Sequence, residues 1–307
     1  VFEVGMNKFN EIQKLSSIVK PHIGIITNIS EAHLENFKNI KGIAKAKSEI
    51  IYNILKDGTL ILNRDDKFFN FFKKIANKNK INVRSFGYSN KSDVKFVSLK
   101  KKRNQFFLKS NIDKKIFIMK INNSNKSNIM NILCSLAVIS ELDLNLNKLR
   151  SFFQSQTALK GRGKINLVKK FDKKFFLIDE SYNANPSSVK SAIENFSSIQ
   201  KRGKRKYFFF GDMLELGKHS EIYHKRISKL INKSDIDKTF VFGNKTIHTF
   251  KNLKKPKRGE IVRDLKSFKN TILKVINNGD YLMIKGSNGT RLHEVSNEFL
   301  RGASNAV

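Results

Sequence analysis

Apolar and polar positions along this chain fall into short blocks, and one junction between blocks stands out. Residues 175–178 (Phe-Phe-Leu-Ile) form a continuous apolar run of the kind that fills a buried strand. The run stops at Asp179 and Glu180. Ser181, Tyr182, Asn183, Ala184, Asn185 and Pro186 follow, dense in hydrogen-bonding groups. Val189, Ala192, Ile193 and Phe196 then recur at helical spacing, with Ser187 or Ser188 as the expected cap. Carboxylates, amides and a phenol thus lie on a turn at the carboxyl end of a strand, where open α/β sheets bind ligands. An ordinary strand–helix loop has the same local pattern.

The same grammar runs through both halves of the chain. Residues 1–6 read as a strand, 10–19 as a short helix ended before Pro21, and 22–28 as a second apolar strand. Ile43, Ala46, Lys47, Ile50 and Leu55 mark a helix over 40–55, which Gly58 ends. A strand over 59–62 leads into Asn63-Arg64-Asp65-Asp66, and residues 68–76 form another helix. Strand and helix in alternation predict a parallel sheet. Residues 83–88, 94–99, 105–109 and 116–121 are short segments between polar turns, expected as antiparallel hairpins beside that sheet. Helices at 128–141 and 147–154 follow. The polar stretch TALKGRGK (157–164) reads as a junction that divides the chain into 1–158 and 159–307. Beyond it come a strand to 178, a helix over 188–199, a strand over 207–211, a helix over 220–231, strands over 239–243 and 260–262, a helix over 265–276 and a strand over 281–285. The fold class is α/β, a parallel sheet with added antiparallel strands followed by a Rossmann-like domain. No G-x-G-x-x-G follows a strand, so a dinucleotide site is not expected.

Composition changes this picture little. The chain has 307 residues, enough for two domains. No run of about 18 apolar residues occurs, so no membrane insertion is expected. The opening residues are neither a signal peptide nor a natural start, and they read as a strand entered midway. The formal charge of +34 invites a nucleic-acid reading, but the lysines are spread over the whole length rather than gathered in a stripe. Lys, Asn, Ile and Phe share codons made of A and T, so the charge reads as composition bias and nucleic acid is not the expected partner. Cys134, the single cysteine, sits in an apolar helical pattern and is expected in a core.

Three side chains in the first half are candidates for phosphate chemistry: Glu3, His33 just after the second strand, and Lys47 on the helix that follows. Neighbouring strand ends in a parallel sheet bring such groups to one edge, and Glu with His can hold a hard cation that also binds phosphate oxygens. Each has a plain alternative as a surface or loop residue. His219, His224 and His293 have no metal-ligand spacing. Asp212 and Glu215 are expected to shape the loop after a strand.

A series of ordered segments then resembles one family. TNISEAHLENFKNIKGIAKAKSEI (27–50) resembles the hallmark of the Mur ligases, ATP-dependent amide-bond ligases of peptidoglycan synthesis. Glu3-Val4-Gly5 resembles the strand that precedes it, Gly161-Arg162 the family's Gly-Arg at the domain junction, and KGSNGTRLHEV (285–295) its closing segment. DESYNANPSS (179–188) and GDMLELG (211–217) are similar to the branch that joins D-alanyl-D-alanine to UDP-N-acetylmuramoyl-tripeptide. The resemblance implies a cytoplasmic, monomeric enzyme using ATP and Mg²⁺, with that tripeptide and dipeptide as substrates. It implies that Glu3 and His33 hold Mg²⁺, that a carbamylated Lys47 helps, and that Arg162 approaches the γ-phosphate. It implies that Asn128 and Asn131 lie near adenine and that Asp179, or Glu180, accepts from the ribose hydroxyls. Tyr182, Asn183 and Asn185 would line the nucleotide or the dipeptide, and Lys285 and Ser287 would touch substrate. For Asn128, helix capping is the alternative. Another Mur-type amino-acid ligase, or an inactive Mur-like module, fits the same segments.

Some departures bear on this. No G-x-x-x-x-G-K-[ST] phosphate loop occurs in the chain. The 307 residues are therefore expected to be the central, ATP-binding and the C-terminal portions of such an enzyme, inactive as a ligase without the remainder. Glu180 stands where the family has a second Asp, and Ser127 where it has a His.

Overall fold

In the computed structural model of the chain, residues 1–103, 105–155 and 159–301, and the backbone of 304–305, are described. The chain divides into two compact units, Val1–Thr157 and Ala158–Val307. The expected junction falls partly on residues 157–158, which lie outside the described residues.

The first unit runs α1 (Glu11–Val19), β1 (Ile23–Ile26), α2 (Ile40–Ser48), β2 (Thr59–Asn63), α3 (Phe69–Lys78), β3 (Asn82–Gly87), β4 (Val94–Lys102), β5 (Gln105–Ile112), β6 (Lys115–Ile121), α4 (Lys126–Glu141) and α5 (Arg150–Ser155). Its six strands form one sheet in chain order. β1, β2 and β3 are parallel, and β4, β5 and β6 are antiparallel. The expected hairpin at 83–88 is corrected: β3 pairs in parallel with β2 and, over two residues, with β4. The α3 crossover dictates this, because a helix between adjacent strands returns the chain in the same direction. Residues 1–6 are not a strand. β1 pairs with β2 alone among the described residues, and residues 1–6 do not add to its free edge. The helix expected over 40–55 tightens into a 3-10 turn at Glu49–Asn53. Leu108, Leu133, Leu136 and Ala137 lie in the core between α4 and the antiparallel strands. Cys134 belongs to that core, and burial pushes its thiol up to about 12, which makes it an inert packing residue.

The second unit runs β7 (Lys164–Lys170), β8 (Lys173–Glu180), α6 (Pro186–Ser198), β9 (Lys206–Gly211), α7 (Ser220–Lys233), β10 (Lys238–Phe242), α8 (Ile247–Lys251), β11 (Arg258–Val262), α9 (Leu265–Val275), β12 (Tyr281–Lys285), α10 (Leu292–Leu300) and β13 (Ser304–Asn305). The sheet order is β11-β10-β9-β12-β8-β7-β13. β8 to β12 are parallel, while β7 and β13 are antiparallel additions at one edge. The central strands read as apolar runs because both faces are covered: Phe208, Phe209 and Phe210 are all sealed, and Phe209 stacks on Phe240 at 4.4 Å. β9 continues toward β10 and β12 toward the opposite edge, so their carboxyl ends form the switch point where ligands usually enter such sheets. There the two backbones run side by side, and a Cβ on Gly286 would lie 3.2 Å from the Gly211 Cα and 2.9 Å from a Leu292 methyl. The neighbouring carboxyl end of β8 carries the polar groups instead.

Candidate functional site

In the first unit the candidate side chains sit on segments held by two carboxylates, Asp66 half-buried and Glu49 buried. Asp66 accepts from the Ile29 N–H at 2.7 Å and from the Phe68 N–H at 2.8 Å, which ties the turn after β1 to the start of α3. His33 follows that turn, half-buried, with a left-handed backbone at φ 57°. A histidine held there is costly to place, so the loop is shaped around it. Glu49 is buried and accepts from the Asn10 and Gln13 N–H groups at 2.8 and 3.2 Å, seating α1 beside α2. Neither Asp66 nor Glu49 was singled out by sequence reasoning. The signal in Asp66 was its place one turn before an apolar helix, as a helix-capping residue.

Lys47 lies on the last turn of α2, half-buried. Burial pushes its ammonium pKa down, and the opposing charge of Glu3 partly restores it. The structure thus brings Glu3 within electrostatic reach of Lys47 although residues 1–6 form no strand. Among the described residues no group of three or more His, Cys, Asp or Glu is arranged to hold a metal ion. Mg²⁺ tolerates this, because it keeps several waters and takes one or two protein carboxylates beside phosphate oxygens. The exposed Glu3 carboxylate fits such a cation, and His33 is a softer second donor. On α4, the Asn128 Nδ2 donates to the Asn123 carbonyl at 2.8 Å, and Asn131 is exposed one turn further. Asn125, not Asn128, occupies the N-cap position.

In the second unit the sequence-predicted residues converge. The turn at Gly161-Arg162-Gly163 docks on the end of β8 rather than standing apart as a hinge. Asp179, 2% exposed, accepts from the Gly161 N–H at 3.0 Å and from the Ser181 hydroxyl at 2.6 Å. Its carbonyl accepts from the Gly163 N–H at 2.7 Å, and the Tyr182 N–H donates to the Gly161 carbonyl at 3.2 Å. Asp179 is therefore a scaffold for the turn, and its carboxylate is sealed from solvent. Both glycines need their positive φ, and a Cβ on Gly161 would lie 2.8 Å from the Tyr182 Cβ. So placed, the Arg162 guanidinium stacks over the Tyr182 ring at 4.6 Å, with Tyr182 54% exposed.

Glu180 and Lys285 end two adjacent parallel strands and stand in register. The Lys285 Nζ donates to the Glu180 Oε2 at 3.3 Å and to the Asn183 carbonyl at 3.0 Å. Burial pushes the Glu180 pKa up, against Lys285, and pushes the Lys285 pKa down, against Glu180. Ser287 donates to the Ala184 carbonyl at 3.0 Å and accepts from the Leu214 N–H at 2.9 Å, so it stitches three loops together. Asn185 caps α6: its side chain accepts from the Ser188 N–H, while the Ser188 hydroxyl accepts from the Asn185 N–H. The cap expected at Ser187 or Ser188 is thus corrected to Asn185, with Ser188 closing the box. The exposed groups left around this cluster are Arg162, Tyr182 and Asn183.

The loop after β9 is built the same way. Asp212 accepts from the Lys245 and Thr246 N–H groups, the latter at 2.7 Å. The buried His224 accepts at Nε2 from the Met213 N–H at 3.2 Å, so its proton is on Nδ1 and is donated to the Ser220 carbonyl at 2.8 Å. His224 is a neutral structural residue and not a metal ligand. His219 precedes α7 and His293 lies on α10.

Comparison with known proteins places the chain among relatives. The Mur ligase middle domain profile matches residues 1–139, and the profile described as Mur ligase, glutamate ligase domain matches residues 165–288. The UDP-N-acetylmuramoyl-tripeptide–D-alanyl-D-alanine ligase of Rickettsia prowazekii is 30% identical over 96% of this chain and 65% of its own length. The enzyme of the same name from Buchnera aphidicola is 33% identical over 98% of this chain and 65% of its own. The chain thus spans slightly less than two thirds of the curated relatives it matches. MurF from Acinetobacter baumannii has the same fold, with a TM-score of 0.83 at 24% identity over 98% of this chain and 64% of that one. MurF ligase from Thermotoga maritima, solved in complex with ADP, superposes at 0.80 with 21% identity over 97% of this chain and 66% of that one. This chain belongs to the Mur ligase family, of which it carries the middle domain and the glutamate ligase domain.

Proposed function

We propose that this chain is the ATP-binding (1–158) and ligase (159–307) portion of a cytoplasmic enzyme that joins D-alanyl-D-alanine to UDP-N-acetylmuramoyl-tripeptide. The observation that carries it is the convergence of Arg162, Glu180, Tyr182, Asn183 and Lys285 at the carboxyl end of β8, in a chain related over its whole length to ligases of that name. A tripeptide carboxylate attacks the γ-phosphorus of ATP, ADP leaves, and an acyl phosphate forms. The dipeptide amine then attacks the acyl carbon, the C–O bond to phosphate breaks, and the amine loses a proton. The protein's work in both steps is positioning and charge neutralisation.

Arg162 meets the charge that builds on the phosphoryl oxygens, and its stacking on Tyr182 fixes the plane of its donor fork. Glu180 accepts from the ribose hydroxyls, with Asp179 holding the turn beside it. Asn128 and Asn131 lie beside adenine, and Tyr182, Asn183 and the α6 cap at Asn185 border the nucleotide and the dipeptide. Glu3 and His33 would hold Mg²⁺, which supplies neutralisation of phosphate charge. Lys47 acts as a carbamate: its lowered pKa raises the share of neutral amine, which attacks CO₂ and releases a proton, turning a cation into an anion.

The test joins the part of the Rickettsia relative that this chain does not match to this chain. The fusion is expected to form amide product and release phosphate with D-alanyl-D-alanine, and not with single amino acids. Lys47→Ala in the fusion is expected to lose activity and to recover part of it with a short-chain carboxylic acid. Equal turnover of a single amino acid would overturn the substrate, and full activity of Lys47→Ala would overturn the carbamate.

A further inference from the structure

Lys285 is 2% exposed, so its ammonium does not meet a dissolved substrate. Two of its N–H donors are directed at Glu180 and at the Asn183 carbonyl. Both of those partners lie nearer the surface: the Glu180 side chain is 18% exposed, and Asn183 is exposed. A second contact confines Glu180 from the other side. Gly163, at φ 86°, approaches so closely that a Cβ there would lie 2.6 Å from the Glu180 Oε1. One carboxylate oxygen is thus held by a buried cation and the other stands against bare backbone, where it accepts no hydrogen bond among the described residues.

We propose that Lys285 is a positioning residue: it fixes the Glu180 carboxylate and the Asn183 carbonyl, and through Glu180 it sets a preference for a vicinal diol such as that of ribose. This rests on the nucleotide reading of the second unit and replaces the direct substrate contact expected of Lys285. A carboxylate already locked in one rotamer accepts two adjacent hydroxyls without losing side-chain freedom on binding. A diol is matched by one fixed oxygen pair, whereas a nucleotide lacking both hydroxyls has nothing to offer it. Gly163 serves the same end, since any side chain there displaces Oε1.

The experiment measures the affinity of this chain for ATP and for 2′,3′-dideoxy-ATP by titration calorimetry, with amide exchange of residues 181–185 as a second readout. Wild type is expected to prefer ATP by about tenfold or more, since each hydroxyl lost removes a hydrogen bond to a charged group. Lys285→Met and Glu180→Gln are each expected to abolish that preference, the double variant to lose no more, and Lys285→Arg to retain part of it. Gly163→Ala is expected to reduce the preference without altering Lys285, and Lys285→Met to speed exchange at residues 182–184. Equal weakening of both nucleotides in Lys285→Met, with the preference kept, would overturn the inference, as would additive single effects. Wild-type binding of ATP without preference would also overturn it. If wild type binds neither nucleotide, the nucleotide reading fails, and unchanged exchange in Lys285→Met then removes the positioning role as well.

Discussion

His224 shows how much a single side chain can settle. It is buried on α7 with Nε2 accepting from the backbone of the loop after β9 and Nδ1 donating to its own helix. Burial lowers its pKa below the ordinary histidine value. The unfolded chain therefore binds this proton first as pH falls below about 6.5. The stabilisation from neutral His224 is complete above that value and is lost as pH drops toward the lower folded pKa. Wild type is expected to lose more thermal stability between pH 7.5 and pH 5 than His224→Gln; parallel melting curves for the two proteins would contradict this. At pH 7.5 the glutamine amide oxygen can take the place of Nε2 toward the Met213 N–H, and the variant loses the Nδ1–H bond to the Ser220 carbonyl, at a cost of about 1 kcal/mol. Nothing in the local sequence marks this histidine. Its partner loop lies eleven residues away across a turn whose path only the fold defines.

At the scale of elements, the match between pattern and structure follows how continuous each apolar run is. β12 was legible from end to end because Tyr281–Lys285 is unbroken and covered on both faces. β7 was not legible as a strand, since Ile165, Leu167 and Val168 sit among lysines and asparagine, next to the short edge strand β13, with Ile165 and Leu167 only partly buried. The turn that joins it to β8 uses Phe171 and Asp172 in left-handed conformations, and neither residue advertises that. The start of α6 offers Asn185, Ser187 and Ser188, all good caps, and Pro186 at the first helical position selects Asn185, because a proline there gives up an N–H that the helix does not use. Asn185→Ala is expected to cost about 1 kcal/mol of stability, read as a shift of the denaturation midpoint, while Ser187→Ala shifts it little. A larger loss from Ser187→Ala would contradict the capping box.

For the whole molecule, the two units have separate hydrophobic cores. Among the described residues, residues 61–153 supply one and residues 168–299 the other. Each core contains large side chains sealed from water, such as Phe86 in the first and Phe175 in the second, each contributing roughly 1.5–3 kcal/mol. A fragment spanning 159–307 is therefore expected to fold alone, with mixed α/β circular dichroism and one cooperative thermal transition. A fragment without a cooperative transition would show that its core depends on the first unit. Among the described residues no helix is long and apolar enough to cross a membrane.

The sequence by itself determined the α/β alternation, the antiparallel insertion and the ordered motifs that resemble one ligase family, because buried strands and amphipathic helices must show their periods in the residue order. It also placed Asp179, Glu180 and their neighbours at the end of a strand. Only the tertiary structure decided what each does there. Glu180 and Lys285 are 105 residues apart and meet because β8 and β12 are parallel neighbours in register. Gly163 matters because its bare backbone faces a carboxylate, and Asp179 because it is sealed under the Arg162 turn. Which strands become neighbours is a long-range property of the packed sheet, and no local pattern encodes that β12 lies beside β8.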